Sequence, residues 1–103
     1  MDERQDWMET EEELAGVFQA LSDPLRLRFL ELLPKEKIRE PISVCDLAKR
    51  LGVSQPNASH HLKILRSAGL IRCHKQGGCS YYQVDSDQVN TAMRHMEARL
   101  ETV

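Results

Sequence analysis

The chain has 103 residues, of which 41% are hydrophobic, and a formal net charge of −2 at pH 7. This length suits one domain with a small core, and without a run of about eighteen apolar residues we expect no membrane span. The N-terminus lacks the basic-then-apolar layout of a signal peptide, so we expect a cytoplasmic protein. Three cysteines are an odd number, which argues against a fully paired disulfide framework.

The first third of the chain predicts an arm and two helices. Residues 1–10 are acidic and polar, and we expect a flexible arm there, followed by one domain over residues 11–103. Asp23 suits an N-cap and Pro24 the first turn of a second helix, which ends near Pro34. Before them, apolar residues at helical spacing predict an amphipathic first helix with this inner face: Leu14, Val17, Phe18 and Leu21.

The middle of the chain predicts two more helices and a tight connection. Ser43 opens a short third helix that Gly52 ends, and Ser54 caps a longer fourth helix. In the fourth helix, steps of about 100° per residue place three apolar side chains on one inward face: Ala58, Leu62 and Leu65.

Two short strands over residues 70–75 and 79–84 flank the glycines of Gln76-Gly77-Gly78 and predict a β-hairpin. Asp85 or Ser86 then caps a fifth helix. A short helix, a turn, a second helix and a hairpin in this order predict a mainly α fold of the winged helix-turn-helix type. In that geometry the second helix of the motif enters the major groove of DNA.

Charge is distributed unevenly along the chain. Residues 47–84 contain six Lys and Arg, three His and neither Asp nor Glu. Because polyanions select basic surfaces, this segment favours nucleic acid as the partner. The alternatives are an ordinary solvated helix face and a protein-interaction module with the same fold. No phosphate loop, HExxH or nucleophile motif is present, so we predict that the protein is not an enzyme.

The fourth helix and the hairpin carry the expected DNA contacts. Side chains at the N-terminal end of such a helix face base edges, where Asn and Gln pair with adenine. Basic residues farther along hold phosphates, which position the protein without specifying sequence. The expected DNA-binding residues are Ser54, Gln55, Asn57, Ser59, His60, Lys63, Arg66, Arg72 and Lys75.

Five segments together resemble the ArsR/SmtB repressors, and the resemblance spans about residues 11–100. They are residues 21–28 (LSDPLRLR), 44–48 (VCDLA), 54–65 (SQPNASHHLKIL), 68–71 (AGLI) and 78–82 (GCSYY). The resemblance implies a homodimeric repressor that binds a short palindromic operator in double-stranded DNA. It also implies release when an inducer binds, often a metal or metalloid ion.

The resemblance further assigns residues to these roles. The positions that usually touch DNA in such proteins fall on Gln55, Asn57, Ser59 and His60. The first and last helices form the dimer interface, which here would use Leu14, Val17, Phe18, Val89, Met93, Met96 and Leu100.

Neither metal site typical of these repressors is complete. The Cys-Val-Cys run of the third helix reads Ser43-Val44-Cys45, and one thiolate does not make a soft-metal site. A site on the last helix retains only His95 and Glu97, whose spacing puts them on different faces. We therefore expect Cys45 to be a small buried residue, although it stays a candidate for metal or redox chemistry.

Cys73 and Cys79 bracket the tip of the hairpin and form a second candidate sensor, with His74 beside them. Two-residue turns at Gln76-Gly77 or at Gly77-Gly78 separate the two thiols onto opposite faces, and a three-residue loop would place them diagonally on one face. A soft ion such as As(III) is the first inducer hypothesis. Thiol oxidation or a sulfur species is the second, and a repressor without metal response is the third.

Overall fold

The computed structural model describes residues 10–35 and 42–101. Within them the chain forms α1 (Glu11–Leu21), α2 (Pro24–Leu32), β1 (Ile42–Ser43), α3 (Val44–Leu51), α4 (Gln55–Ser67), β2 (Ile71–Gln76), β3 (Cys79–Val84) and α5 (Ser86–Leu100). Five helices with a small antiparallel sheet confirm the predicted mainly α winged helix-turn-helix. No described helix is long and apolar enough to cross a membrane.

Side-chain caps set the helix starts. The Thr10 hydroxyl accepts from the Glu13 N–H at 3.1 Å, and the Glu13 carboxylate accepts from the Thr10 N–H at 3.3 Å, which is a capping box. Thr10, assigned to the arm by the sequence, therefore belongs to α1; the remainder of that predicted arm lies outside the described residues. Asp23 caps α2 as predicted, accepting from the Leu25 N–H at 2.8 Å.

The core lies between α4 and the helices around it. As predicted, α4 buries three side chains, Ala58, Leu62 and Leu65, each 0% exposed. Leu47 from α3 and Phe29 from α2 are also 0% exposed and belong to the same cluster. Because every neighbouring helix contributes to this one cluster, the orientation of α4 is set by core packing.

The sheet contains one strand more than the sequence predicts. Its order is β1-β3-β2, and β1 pairs with β3 through Ile42 opposite Tyr82 and Ser43 opposite Tyr81. Two residues are too few to show the alternation that marks a strand, and this pairing joins distant parts of the chain. We define the wing as β2, β3 and the turn between them. Because β1 pairs with β3 and leads directly into α3, it connects the wing to α3.

The predicted dimer interface needs correction on α1. Leu14 and Val17 are 4% and 1% exposed within a single protomer, because α1 turns this face toward its own core. Little of either side chain is left for a partner to cover. Phe18 and Val89 are half-buried against the same core, whereas three side chains of α5 are exposed: Met93 (40%), Met96 (36%) and Leu100 (71%).

Candidate nucleic-acid interface

The turn between α3 and α4 is built from Gly52, Val53 and Ser54. Gly52 ends α3 in the left-handed region (φ 68°), and the Val53 N–H donates to the Ala48 carbonyl at 3.0 Å. The Ser54 hydroxyl accepts from the Asn57 N–H at 3.2 Å and caps α4. The Ser54 hydroxyl, which the sequence predicts as a DNA contact, thus fixes the start of α4.

The outer face of α4 carries the polar side chains that the sequence assigned to DNA. All six are exposed: Asn57, His60 and Lys63 lie on the side away from the buried stripe, and Gln55, Ser59 and Arg66 lie toward its flanks. Amide, hydroxyl and imidazole groups come first along the helix, and the basic groups follow. This order places hydrogen-bonding groups suited to base edges at the N-terminal end and cations suited to phosphates farther along.

Cys45 lies beside the first residue of α4. The prediction that it is buried is wrong: Cys45 is exposed on the first turn of α3, and its Sγ donates to Gln55 Oε1 at 3.3 Å. The helix-turn-helix angle brings together two side chains that are ten residues apart. A thiol therefore contacts a side chain expected to touch DNA.

The wing forms through one of the three turns that the sequence left open. Gly77 and Gly78 have φ of 58° and 84° and make a two-residue turn, so Gln76 lies opposite Cys79 and Cys73 lies opposite Tyr82. Cys73 and Cys79 consequently point to opposite faces of the hairpin. This register agrees with the expectation that the two thiols of one wing form no disulfide, and it also keeps them from sharing one ion; a separate sensing role for each thiol stays a prediction.

Each wing cysteine instead has a tyrosine beside it. The charge and hydrogen bond of Cys79 raise the pKa of Tyr81, which is two residues along the same strand. Burial, followed by the effect of Cys73, raises the pKa of Tyr82, its cross-strand partner. Both phenols are therefore neutral near pH 7, and each thiol has a separate environment.

Arg72, one of the expected phosphate contacts of the wing, forms an ion pair within the protomer. Its Nε donates to Asp85 Oδ2 at 3.0 Å, while the other oxygen of Asp85 accepts from the Gln88 N–H at 3.2 Å and caps α5. The Arg72 side chain is still 56% exposed. Lys75 is exposed nearer the tip of the wing. His74 Nε2 lies 3.1 Å from Oε1 of Gln83 on the neighbouring strand.

Sequence reasoning missed Arg26 on α2. Its Nη1 lies 3.0 Å from Nδ1 of His61, a half-buried residue of α4, and its Nε donates to the Ala20 carbonyl at 2.6 Å. A basic residue three positions after the N-cap Asp23, next to the apolar Leu25, was the available signal. Nothing in the spacing could show that it reaches α4.

Metal binding needs three or more ligand side chains at one place. Within the described residues, no three His, Cys, Asp or Glu side chains are close enough to hold a metal ion. The three thiols of the same residues are unpaired. Cys45, Cys73 and Cys79 therefore occupy three separate places in the protomer.

Comparison with known proteins places this geometry in a family. The protein-family model described as a helix-turn-helix domain matches residues 21–74 of the chain. An HTH-type transcriptional regulator of Methanocaldococcus jannaschii is 36% identical over 84% of the chain and 94% of that protein. A transcriptional repressor SmtB homolog of Synechocystis is 36% identical, over 87% of the chain and 65% of that protein.

A cadmium resistance regulatory protein CadC homolog of Staphylococcus aureus is 36% identical over 75% of the chain and 61% of that protein. The chain thus spans somewhat less than two thirds of the length of these last two relatives.

Solved structures agree with the sequence matches. An ArsR-like transcriptional regulator from Rhodococcus sp. RHA1 superposes with a TM-score of 0.73 at 36% identity, covering 84% of this chain and 78% of that one. A homodimeric winged helix-turn-helix DNA-binding domain from Mycobacterium bovis, described as a possible ArsR-family regulator, gives 0.66 at 27% identity over 85% and 80%. The chain belongs to the ArsR/SmtB family of winged helix-turn-helix transcription repressors, which bind DNA and are not enzymes.

Proposed function

We propose that the protein is a homodimeric repressor that binds a palindromic operator through α4 and the wing, and that an inducer releases it. One observation carries this proposal: the outer face of α4 is polar and exposed while its inner face is fully buried. A rigid helix that presents Gln55, Asn57 and His60 outward can insert into a major groove. The proposal includes a cytoplasmic location, where such a repressor would reach its DNA.

Dimerisation is supported by the apolar side chains that α5 leaves exposed. Met93, Met96 and Leu100 lie on the same helix that packs on α1 of the protomer, where Arg99 Nη2 lies 3.5 Å from Glu11 Oε2. The relative from Mycobacterium bovis is described as homodimeric. A twofold-symmetric dimer presents two copies of α4, so a palindromic site follows from the symmetry.

A charge on α5 tests this interface. Met96→Glu should give a folded monomer, because a charge placed in an apolar contact disfavours the dimer. Leu14→Glu is the matched contrast and should unfold the chain, because Leu14 is buried in the protomer. Sedimentation and far-ultraviolet circular dichroism check both variants. A wild type that sediments as a folded monomer would refute the proposed interface.

For the inducer we propose a soft metal or metalloid ion, As(III) or Cd(II), acting at Cys45. The CadC homolog supports the class of ion, and the Cys45–Gln55 contact supports the place. Since one protomer brings no three ligands together among its described residues, the ion would need further ligands from the second protomer or from exogenous thiols. The same exposed thiol favours a second candidate, oxidation or a sulfur species.

Fluorescence anisotropy tests binding and release together. Reduced protein is titrated into the duplex that it enriches from a randomised library, with As(III), Cd(II), Zn(II) or a mild thiol oxidant present. We expect release by one agent, loss of that release in Cys45→Ser, and unchanged release in Cys73→Ser and Cys79→Ser. Release that survives in Cys45→Ser would contradict the proposed place of sensing.

Salt dependence separates DNA binding from the protein-interaction alternative. A protein that neutralises phosphates loses affinity steeply as salt rises, because counterions compete for the DNA. Affinity that does not change with salt would contradict operator binding by residues 47–84.

A further inference from the structure

Arg26 joins three helices through one side chain. It starts on α2, its Nε donates to the Ala20 carbonyl at 2.6 Å, and its Nη2 donates to the Gln19 carbonyl at 3.5 Å. These carbonyls belong to the last turn of α1, and that of Gln19 also accepts from the Ser22 N–H at 3.1 Å. The same guanidinium then reaches α4, where its Nη1 lies 3.0 Å from His61 Nδ1.

The contact with His61 has one possible direction. A guanidinium carries only donors and does not lose its proton in proteins. In this hydrogen bond His61 Nδ1 is therefore the acceptor. The Arg26 side chain is 12% exposed, so water competes little for this hydrogen bond.

Two aromatic rings lie near the ring of His61. Its ring centroid is 6.1 Å from that of Phe29, which is 0% exposed in the core, and 5.5 Å from that of His60, in an edge-on arrangement. His60 is exposed on the outer face of α4. The ring of His61 thus stands between a fixed core residue and a side chain expected to contact DNA.

Asp23 lies near the guanidinium nitrogen that also contacts His61. Its Oδ2 lies 3.8 Å from Arg26 Nη1, and it accepts the N–H groups of Leu25 and Arg26 as the cap of α2. Burial alone would raise the pKa of Asp23, but these N–H donors and the Arg26 charge lower it. The carboxylate is therefore charged near pH 7 and helps to keep the guanidinium aimed at His61.

We propose that Arg26 is a positioning residue for DNA recognition: by donating to residue 61 it ties α4 to α1 and α2, and so holds the adjacent His60 in the orientation that suits base contact. This inference rests on the proposed contact between α4 and DNA. Arg26 itself need not touch DNA, because it acts from the inner side of the helix.

Two substitutions at residue 61 isolate the hydrogen bond. In His61→Asn the side-chain oxygen occupies the place of Nδ1, so Arg26 keeps an acceptor; in His61→Gln the amide lies one bond farther out, near the place of Nε2. Both variants lose the imidazole ring and its contacts equally. Arg26→Met removes the donor while keeping an apolar stem of similar length.

Affinity is measured for the duplex selected by the wild type and for random DNA. We expect His61→Gln and Arg26→Met to bind the selected duplex about tenfold more weakly, with random DNA within about twofold. His61→Asn should stay within about threefold of the wild type on both. Thermal unfolding of each variant verifies that the fold persists at the assay temperature.

Nitrogen-15 NMR of the wild type gives a readout without DNA. We expect the His61 Nδ1 resonance of an unprotonated, hydrogen-bonded nitrogen and its movement in Arg26→Met. Equal losses in His61→Asn and His61→Gln, or a proton on Nδ1, would overturn the proposal. If instead the wild type preferred no duplex over random DNA, the proposed function would fail while the NMR result stood, so the two failures are distinguishable.

Discussion

Helix α4 and the wing are both expected to touch DNA, but different forces hold them in place. Helix α4 is fixed by a stripe of side chains that are 0% exposed, and by a cap at Ser54. The wing has buried side chains only near its base, at Ile71 and Val84, and beyond them it depends on strand pairing and a glycine turn. Core packing therefore sets the geometry of one element, and turn chemistry that of the other.

Removing core volume beneath α4 tests the first half of this contrast and should have the largest effect. Leu62→Ala is expected to lower the free energy of unfolding by about 2–5 kcal/mol, because the cavity adds to the lost burial. Urea denaturation measures this change. Lys63→Ala, at the exposed neighbouring position, is the control and should stay within about 0.5 kcal/mol. A loss under about 1 kcal/mol in Leu62→Ala would show that α4 is not held by its core face.

The second test compares the two elements on DNA. Asn57→Ala should weaken binding to the selected duplex by about 1–3 kcal/mol and leave random DNA nearly unchanged, as for a lost base contact. Lys75→Ala in the wing should weaken both by a similar factor and reduce the salt slope by about one unit. Anisotropy titrations at several salt concentrations check the pair. If Asn57→Ala weakened both duplexes equally, α4 would be a phosphate-contacting element like the wing.

A substitution at the wing tip should have a smaller effect. Gly77 has φ 58°, where Ala is strained and Asn is tolerated. Gly77→Ala should destabilise the hairpin by about 1 kcal/mol, and Gly77→Asn should stay close to the wild type. Amide hydrogen exchange in β2 and β3 reports this difference directly. Equal protection in the two variants would mean that the turn does not set the register.

Replacement of the thiol beside α4 should have the least effect on DNA binding without inducer. In Cys45→Ser a hydroxyl can still donate to Gln55, so affinity for the selected duplex should stay within about twofold. Cys45→Val, which has no donor, is the comparison variant in the same titration. A large loss in Cys45→Ser would assign the thiol itself to the DNA interface.

The sequence predicted α4 well because its signals are local. Ser54 as cap and the inward stripe at Ala58, Leu62 and Leu65 depend only on helix geometry. The glycine pair predicted the hairpin, but three turns remained open, because the register follows from pairing rather than from composition.

Long-range contacts account for what the sequence could not predict. β1 pairs with β3, and Arg26 reaches His61, so both contacts join residues far apart in the chain. The contact between Cys45 and Gln55 depends on the angle between α3 and α4, which helical spacing does not give. For Leu14 and Val17, helical spacing identified an apolar face correctly but not its partner, which is the core of the same protomer.

Asp85 has three structural roles, so substitutions at residue 85 and at its partner, residue 72, have unequal consequences. Its carboxylate caps α5 and pairs with Arg72, while its N–H donates to the Leu70 carbonyl at 2.9 Å. Replacing Asp85 therefore removes a helix cap and an ion pair together, whereas replacing Arg72 removes only the ion pair. The effects of the two substitutions on stability are not additive: once Asp85 is gone, replacing Arg72 has no ion pair left to remove, but losing Arg72 leaves residue 85 still constrained as the cap of α5.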